Sequence, residues 1–286
     1  MSENLEQVST PERGANVKIA LKFMRHGERD KENNLLPYGR EVTRKRAQES
    51  GIKKDDFDAI KAIGSDVNPQ GPLHMGRSLE TADIYAKEIS DDVFKTRASK
   101  ILNYETYKTP FPYDHYAIYN SFLPENFDDL SPEEKSAASK KAQVGTVNHI
   151  FALNTPEAIT YKKEIAGSFA YLILHYAEMA KRLKSNSSVL LPAGTHGGVM
   201  EFPLQQALAW KDKKRNPHVG FDSLEVIGGD LDPSEAYTVT IERNENGDLK
   251  PLTVVFDNPA RPQGEMYFDL AKLEELADFY EQLHKE

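Results

Sequence analysis

The sequence contains no cysteine, only one tryptophan, and no apolar run long enough to span a bilayer. The lack of cysteine excludes disulfides, thiolate nucleophiles and cysteine-ligated zinc, so any nucleophile must be another residue type. The chain also has fewer basic than acidic residues, with 36 Lys and Arg against 45 Asp and Glu, and its formal net charge is −9. Nucleic acids and acidic membranes would need a large basic surface, so we expect neither as a partner.

What is present describes a soluble globular protein, with 39% apolar and 28% charged residues among 286. Residues 1–16 are polar and acidic and lack the apolar region of an export signal, which predicts a flexible leader and a cytoplasmic location. We expect the remaining residues, 17–286, to form a single domain. The sequence does not indicate an oligomeric state.

The order of apolar segments predicts an α/β fold. Val17 to Met24 is rich in β-branched and large apolar residues, which predicts a first strand. Further strands are expected at Phe57–Ile63, Ala98–Asn103 and Val189–Gly194, and helices at Arg40–Glu49, His74–Glu88, Pro156–Lys184 and Val199–Trp210. This alternation favours a three-layer α/β/α sandwich with a mainly parallel sheet and helices on both faces.

Two segments depart from the alternation. Residues 104–155 are rich in aromatics and prolines and contain a short helix start at Ser131, which predicts an inserted cap that shapes specificity. Its aromatic side chains either line a substrate cleft or pack within the cap. Near the end, Asn244 to Asp248 predicts a hairpin between strands at Ala236–Ile241 and Leu252–Phe256, followed by a last amphipathic helix from Asp269.

Two histidines stand at predicted strand ends. His26 follows the first strand in Arg25-His26-Gly27-Glu28, and His196 follows a later strand in Thr195-His196-Gly197-Gly198. Ligands of open α/β sheets bind outside the carboxyl ends of the strands, so both histidines can converge on one site. Glycines allow close approach of the backbone, and helix N-termini present free N–H groups to an anion. The guanidinium groups of Arg25 and Arg77 match the geometry of phosphate oxygens.

This set of motifs resembles the histidine phosphatase superfamily, which has the phosphoglycerate mutase-like fold, and in particular its first branch. Arg25-His26-Gly27-Glu28 resembles the signature of that family. Arg77 with Thr81-Ala82 resembles its second arginine motif, and His196-Gly197-Gly198 resembles its second histidine motif. The order of the motifs matches over roughly residues 18–210.

The resemblance implies a phosphatase that needs no metal or other cofactor. In this interpretation His26 attacks phosphorus and carries the phosphoryl group, while Arg25, Arg77 and His196 hold the phosphate oxygens. Water then hydrolyses the phosphohistidine. Further contacts with phosphate or substrate are expected from the residues that flank the histidines, namely Gly27, Glu28, Arg29 and Gly197.

A carboxyl group must protonate the leaving oxygen, and the resemblance points to Glu105, with Glu28 and Asp114 as alternatives. The expected partner is a small phosphorylated substrate or a phosphoprotein. Two other functions stay open: a mutase that returns the phosphoryl group to an alcohol, and a silent domain that only binds a phosphorylated ligand. The pattern lacks the substrate arginines of phosphoglycerate mutases, which favours the phosphatase.

Overall fold

The computed structural model describes residues 12–30, 32–65, 75–111 and 114–285. Of the predicted leader, residues 1–11 lie outside this range. The rest of it is fixed against a later turn: the Gly14 amide donates to the Leu183 carbonyl at 2.9 Å, and Ala15 is fully buried. The strands are β1 Lys18–Arg25, β2 Ala59–Gly64, β3 Lys95–Ala98, β4 Ser188–Thr195, β5 Leu208–Lys211, β6 Pro217–Val219, β7 Ala236–Glu242, β8 Thr253–Phe256 and β9 Tyr267–Phe268. The helices are α1 Pro37–Glu49, α2 Arg77–Ile89, α3 His115–Ser121, α4 Pro132–Ala152, α5 Pro156–Ala180, α6 Phe202–Ala207 and α7 Leu270–His284.

The strands of the described chain form one sheet in the order β3-β2-β4-β1-β7-β8-β9-β5-β6. β3, β2, β4 and β1 pair in parallel, and the remaining neighbours pair antiparallel. The two central parallel strands, β1 and β4, are buried along most of their length, as expected for strands covered on both faces. Their carboxyl ends point to the same edge of the sheet.

Helices cover both faces of the sheet, which confirms the predicted α/β class. Alternate side chains of β1 point to opposite faces, since successive residues of a strand alternate. Leu21 and Phe23 belong to the large core that α5 and α7 cover, whereas Ala20 packs with α2 and Met24 with α1 and α2. The Phe23 ring packs against that of Phe169 of α5, with centroids 5.0 Å apart and an interplanar angle of 51°. In the part of the chain that is described, no helix is both long and apolar enough to cross a membrane.

Two predicted elements are wrong in place or type. The third strand was expected at Ala98–Asn103, but β3 ends at Ala98 and a 3-10 turn occupies Lys100–Leu102. β3 lies at the sheet edge, where charged residues are usual, and its charged sequence hides it from an apolar pattern. The helix expected at Val199–Trp210 is only α6, which is followed directly by β5, and the apolar residues of this segment belong to both elements.

The cap is more helical than its sequence predicted. The helix start at Ser131 is correct: its hydroxyl accepts the Glu134 amide, and the Glu134 carboxylate accepts the Ser131 amide at 2.9 Å. The helix that follows, α4, runs for 21 residues. Pro112 and Tyr113 of the cap lie outside the described residues. So does His74, the predicted start of α2, which begins at Arg77.

Candidate active site

His26 and His196 come together because β1 and β4 are neighbours in register. Arg25 pairs with Thr195, so each strand places its next residue at the same sheet edge. The His26 amide donates to the Thr195 carbonyl at 2.8 Å, which ties the two strand ends to each other. The two imidazole rings are 5.2 Å apart between centroids, at an interplanar angle of 66°. The predicted convergence of the two motifs is thus a feature of the structure.

The His26 ring has a defined tautomer. Its Nδ1 lies 2.8 Å from the Gly27 carbonyl oxygen. A carbonyl only accepts, so Nδ1 carries the proton and Nε2 of the neutral ring keeps its lone pair. Burial is the largest cause that lowers the pKa of His26 to about 3. Positive charges act in the same direction and come from Arg77, Arg25 and Arg29, so the imidazole is neutral at physiological pH.

Arg77 reaches the site because α2 packs unusually close to the strand ends. A Cβ on Gly194 would lie 1.8 Å from the Ser78 carbonyl oxygen, and a Cβ on Gly64 would lie 2.3 Å from Leu79 Cα. Only glycine permits these contacts between helix and sheet. The same helix turn also receives the His26 loop, since the Thr81 hydroxyl accepts the Gly27 amide at 3.1 Å.

His196 is held on both ring nitrogens. Arg77 can only donate, and its Nη2 lies 3.3 Å from Nδ1 of His196, so this nitrogen accepts. Nε2 therefore carries the proton of the neutral ring and donates to the Ser65 hydroxyl at 2.9 Å. Burial, followed by the charges of His26 and Arg77, lowers the pKa of His196 well below its usual value. The site therefore contains two neutral imidazoles among cationic guanidinium groups.

Arg25 lies beside the His196 loop. Its Nη1 donates to Oδ2 of Asp230 at 2.6 Å and also to the Leu231 carbonyl. A Cβ on Gly197 would lie 2.5 Å from Nε of Arg25, so the loop needs glycine there to accommodate the guanidinium. Gly197 thus leaves room for the Arg25 side chain. The motif around His196 does not by itself indicate this role.

These groups line one open cavity of about 500 Å³. Its lining combines three arginines and two neutral histidines with a larger set of apolar, aromatic and small residues. The first group is Arg25, His26, Arg29, Arg77 and His196, and the second is Phe111, His115, Tyr116, Gln143, Val147, Ile150, Tyr161, Gly197, Gly198, Val199 and Phe202. Such a cavity can hold an anionic group against the arginines and an attached organic group against the apolar side chains.

Among the other predicted site residues, Arg29 lines the cavity and donates to Asn33. Glu28 is exposed and lines an adjacent cavity of about 540 Å³ that shares Arg25. Glu105 is exposed on a 3-10 turn outside the described lining of the His26 cavity. Asp114 caps α3 by accepting the Ala117 amide at 3.0 Å. Among the cap aromatics, Phe111 and Tyr116 line the cavity.

Sequence reasoning missed three polar residues that hold the site: Ser65, Asp230 and Glu201. Ser65 and Asp230 contact His196 and Arg25 as described above. Glu201 is fully buried and accepts the Gly198 amide at 2.8 Å. A charged residue in the apolar run Val199–Leu204 is a signal that could have revealed Glu201. In the described ranges, no group of three or more His, Cys, Asp or Glu side chains is arranged to hold a metal ion.

Comparisons with known proteins identify remote structural neighbours. No protein-family model and no curated protein matches the chain. Among solved structures, a mycobacterial glucosyl-3-phosphoglycerate phosphatase is 13% identical with a TM-score of 0.41, over 84% of this chain and 97% of that one. A mycobacterial hydrolase is 13% identical with a TM-score of 0.37, over 92% and 98% of the two chains. A phytase from Klebsiella sp ASR1 is 10% identical with a TM-score of 0.44, over 96% and 97%.

In its three motifs, Arg25-His26-Gly27-Glu28, Arg77 with Thr81-Ala82 and His196-Gly197-Gly198, and in their order along the chain, the protein resembles the histidine phosphatase superfamily.

Proposed function

We propose that the protein is a metal-independent phosphatase that hydrolyses a phosphomonoester through a phosphohistidine on His26. The observation that carries the proposal is the state of the His26 ring. Its Nδ1 proton is engaged by the Gly27 carbonyl, which leaves the Nε2 lone pair available for attack beside three arginines. A neutral imidazole in a cationic cavity suits attack on a phosphate group.

The chemistry proceeds in two displacements at phosphorus. In the first, the Nε2 lone pair of His26 forms an N–P bond while the P–O ester bond breaks and the alcohol leaves with a proton. In the second, water attacks phosphorus and gives a proton to the carboxylate left by the first step, the N–P bond breaks with its electron pair returning to Nε2, and inorganic phosphate departs. Arg25 and Arg77 stabilise the negative charge on the phosphate oxygens in both steps. For His196 to join them, its Nε2–H would turn from Ser65 to a phosphate oxygen.

The proton for the leaving alcohol is proposed to come from Glu105, with Glu28 and Asp114 as alternatives. Glu105→Gln should lower kcat by about 100-fold for an alkyl phosphate and much less for p-nitrophenyl phosphate, whose leaving group needs no proton. Glu28→Gln and Asp114→Asn are the matched comparisons. An equal effect of Glu105→Gln on both substrates would exclude it as the donor. Glu28 and Asp114 are the next candidates in that case, and His115, which lines the cavity itself, would be compared with them.

The decisive experiment measures turnover of p-nitrophenyl phosphate in the presence of EDTA. We expect activity in the wild type and its loss in His26→Ala, while His175→Ala, which changes an exposed histidine on α5, keeps it. A radiolabelled phosphate ester should leave an acid-labile phosphoenzyme on the wild type and on His175→Ala, but not on His26→Ala. Activity that needs a divalent metal, or that survives in His26→Ala, would contradict the proposal.

The same assay separates the two other functions. A mutase would return the label to an added alcohol and show a requirement for a bisphosphorylated activator. A silent binding domain would give neither turnover nor phosphoenzyme.

A further inference from the structure

Two buried carboxyl groups face each other behind Arg25. Glu201 is 0% exposed and Asp230 is 4% exposed. One oxygen of each has a donor: Asp230 Oδ2 accepts from Arg25 at 2.6 Å, and Glu201 Oε2 accepts the Gly198 amide at 2.8 Å. The other two oxygens, Glu201 Oε1 and Asp230 Oδ1, are buried and have no donor in the described structure. The two side chains lie within hydrogen-bonding reach of each other.

A hydrogen bond between two carboxyl groups requires a proton on one of them. Carboxylates only accept, and two like charges in a buried site repel each other. Burial, followed by the negative charge of Asp230, raises the pKa of Glu201 to about 8, although Arg25 acts in the opposite direction. The proton therefore belongs to Glu201, while Asp230 faces the Arg25 cation.

The charges around the pair agree with a neutral Glu201. Arg261 donates to both carboxylate oxygens of Glu235, at 2.6 and 2.7 Å, and to the Asp230 carbonyl at 2.6 Å. Asp230 and Glu235 thus balance the two guanidinium groups, Arg25 and Arg261. An ionised Glu201 would add one buried negative charge without a partner.

The other titratable groups nearby do not change this balance. Asp232 pairs with Lys140 at 2.6 Å. The Tyr237 hydroxyl donates to the Met200 carbonyl at 3.0 Å, and burial raises its pKa far above the usual value. His26 and His196 are neutral at physiological pH, as shown above.

We propose that Glu201 is a positioning residue that, as a neutral acid, donates its proton to Asp230 and so couples Arg25 to the His196–Gly198 loop. The inference deepens the proposed function, since it assumes that Arg25 holds the phosphate group. Through one carboxyl group, the loop that carries the second histidine and the arginine of the first motif are fixed to each other. Loss of the proton would offset the charge of Arg25 and repel Asp230.

The test uses variants of the full chain and orthophosphate as the probe. Glu201→Gln keeps a donor toward Asp230 and an acceptor for the Gly198 amide, whereas Glu201→Leu keeps neither. In calorimetric titrations at pH 6.5 we expect phosphate to bind Glu201→Gln within about twofold of the wild type and Glu201→Leu at least about tenfold more weakly. Glu225→Gln, at an exposed glutamate, is the matched control and should not change Kd.

The pH dependence is the readout that a merely structural role would not move. Between pH 6.5 and 9.5 the phosphate Kd of the wild type should rise by about tenfold relative to that of Glu201→Gln, because only the wild type gains a buried charge beside Arg25. The ratio removes the titration of phosphate itself, which is common to both proteins. A ratio that stays constant, or a Glu201→Gln variant that binds tenfold more weakly at pH 6.5, would overturn the inference.

Urea unfolding without phosphate distinguishes failure of the inference from failure of the proposed function. Burial, followed by the charge of Asp230, raises the pKa of Glu201 from 4.5 to about 8, so the stability that the neutral acid contributes is present below about pH 4.5 and is lost as pH rises to about 8. The urea midpoint of the wild type should fall over this range more than that of Glu201→Gln. If the urea midpoints of the wild type and Glu201→Gln change equally with pH, Glu201 is not a neutral acid in the folded protein, even if phosphate binds. A wild type that does not bind phosphate would instead overturn the proposed function.

Discussion

The neutral state of His26 predicts a measurable loss of stability in acid. The folded pKa of His26 is about 3, against an ordinary value of 6.5. The unfolded chain therefore binds one more proton than the folded chain between these two values. For such a depressed pKa the stabilisation is complete above pH 6.5 and is lost as pH falls. Between pH 7 and pH 4 the loss attributable to His26 is about 3 kcal/mol.

The matching variant is His26→Asn, which does not titrate and whose amide can still donate to the Gly27 carbonyl. Urea unfolding of both proteins should be followed by circular dichroism at several pH values from 4 to 7.5, in buffers that contain no phosphate. With an m value of about 3 kcal/mol/M, the wild-type midpoint should fall by about 1 M more than the variant midpoint. His196 titrates in both proteins, so its effect largely cancels.

If the wild type and His26→Asn lose the same free energy of unfolding between pH 7 and pH 4, the pKa of His26 is not depressed in the folded protein. That result would mean that the folded protein accepts the proton as readily as the unfolded chain. Saturating phosphate provides a control, because ligand that binds only the folded state raises the midpoint of any variant that retains the site.

Three further predictions concern groups around the histidines. Gly194→Ala places a methyl group 1.8 Å from the Ser78 carbonyl and should destabilise the fold by about 3 kcal/mol, measurable as a lower Tm. Gly197→Ala instead meets the flexible side chain of Arg25, so KM for p-nitrophenyl phosphate should rise about tenfold with a smaller change in Tm. Arg77→Lys removes a planar set of donors while keeping the charge and should raise KM by about tenfold, with unchanged thermal stability. An unchanged KM in either of the last two variants would contradict the assigned contacts.

The parts of the fold that could be predicted are those with strong, unmixed patterns. β1 and β4 are apolar runs bounded by turns, and α5 carries a helical apolar face for 25 residues. In each case local pattern and tertiary burial agree. α7 has its cap at Asp269, which accepts the Lys272 amide at 2.8 Å as the sequence indicated.

The elements that were mispredicted depend on contacts that a pattern does not contain. β5 is a strand because it pairs with β6 and β9, which come later in the chain. The same apolar residues would suit a helix equally well. β3 is stabilised by β2 alone at an edge of the sheet, so its side chains alternate between partial and full exposure.

The residues of the site also fall into a group that the sequence could predict and a group that it could not. The residues that touch the cavity could be proposed from motifs, since Arg25 ends β1 and His26 and His196 come directly after β1 and β4. The residues that hold them could not, because Asp230 lies 205 positions after Arg25 and is joined to it only by the fold. Glu201 stands out as a charged residue in an apolar run, but the run does not show which groups it contacts.

The two glycines beneath α2 make the geometry of the cavity sensitive to the interior of the protein. Gly64 and Gly194 have no side chain, so the distance between helix and sheet is set by contacts of the backbone itself. Arg77 is the first residue of that helix and moves with it. A redesign of the cavity should therefore change side chains of the cap and leave Gly64 and Gly194 as they are. A single methyl group added at either glycine would move α2, and Arg77 with it, although neither glycine lines the cavity.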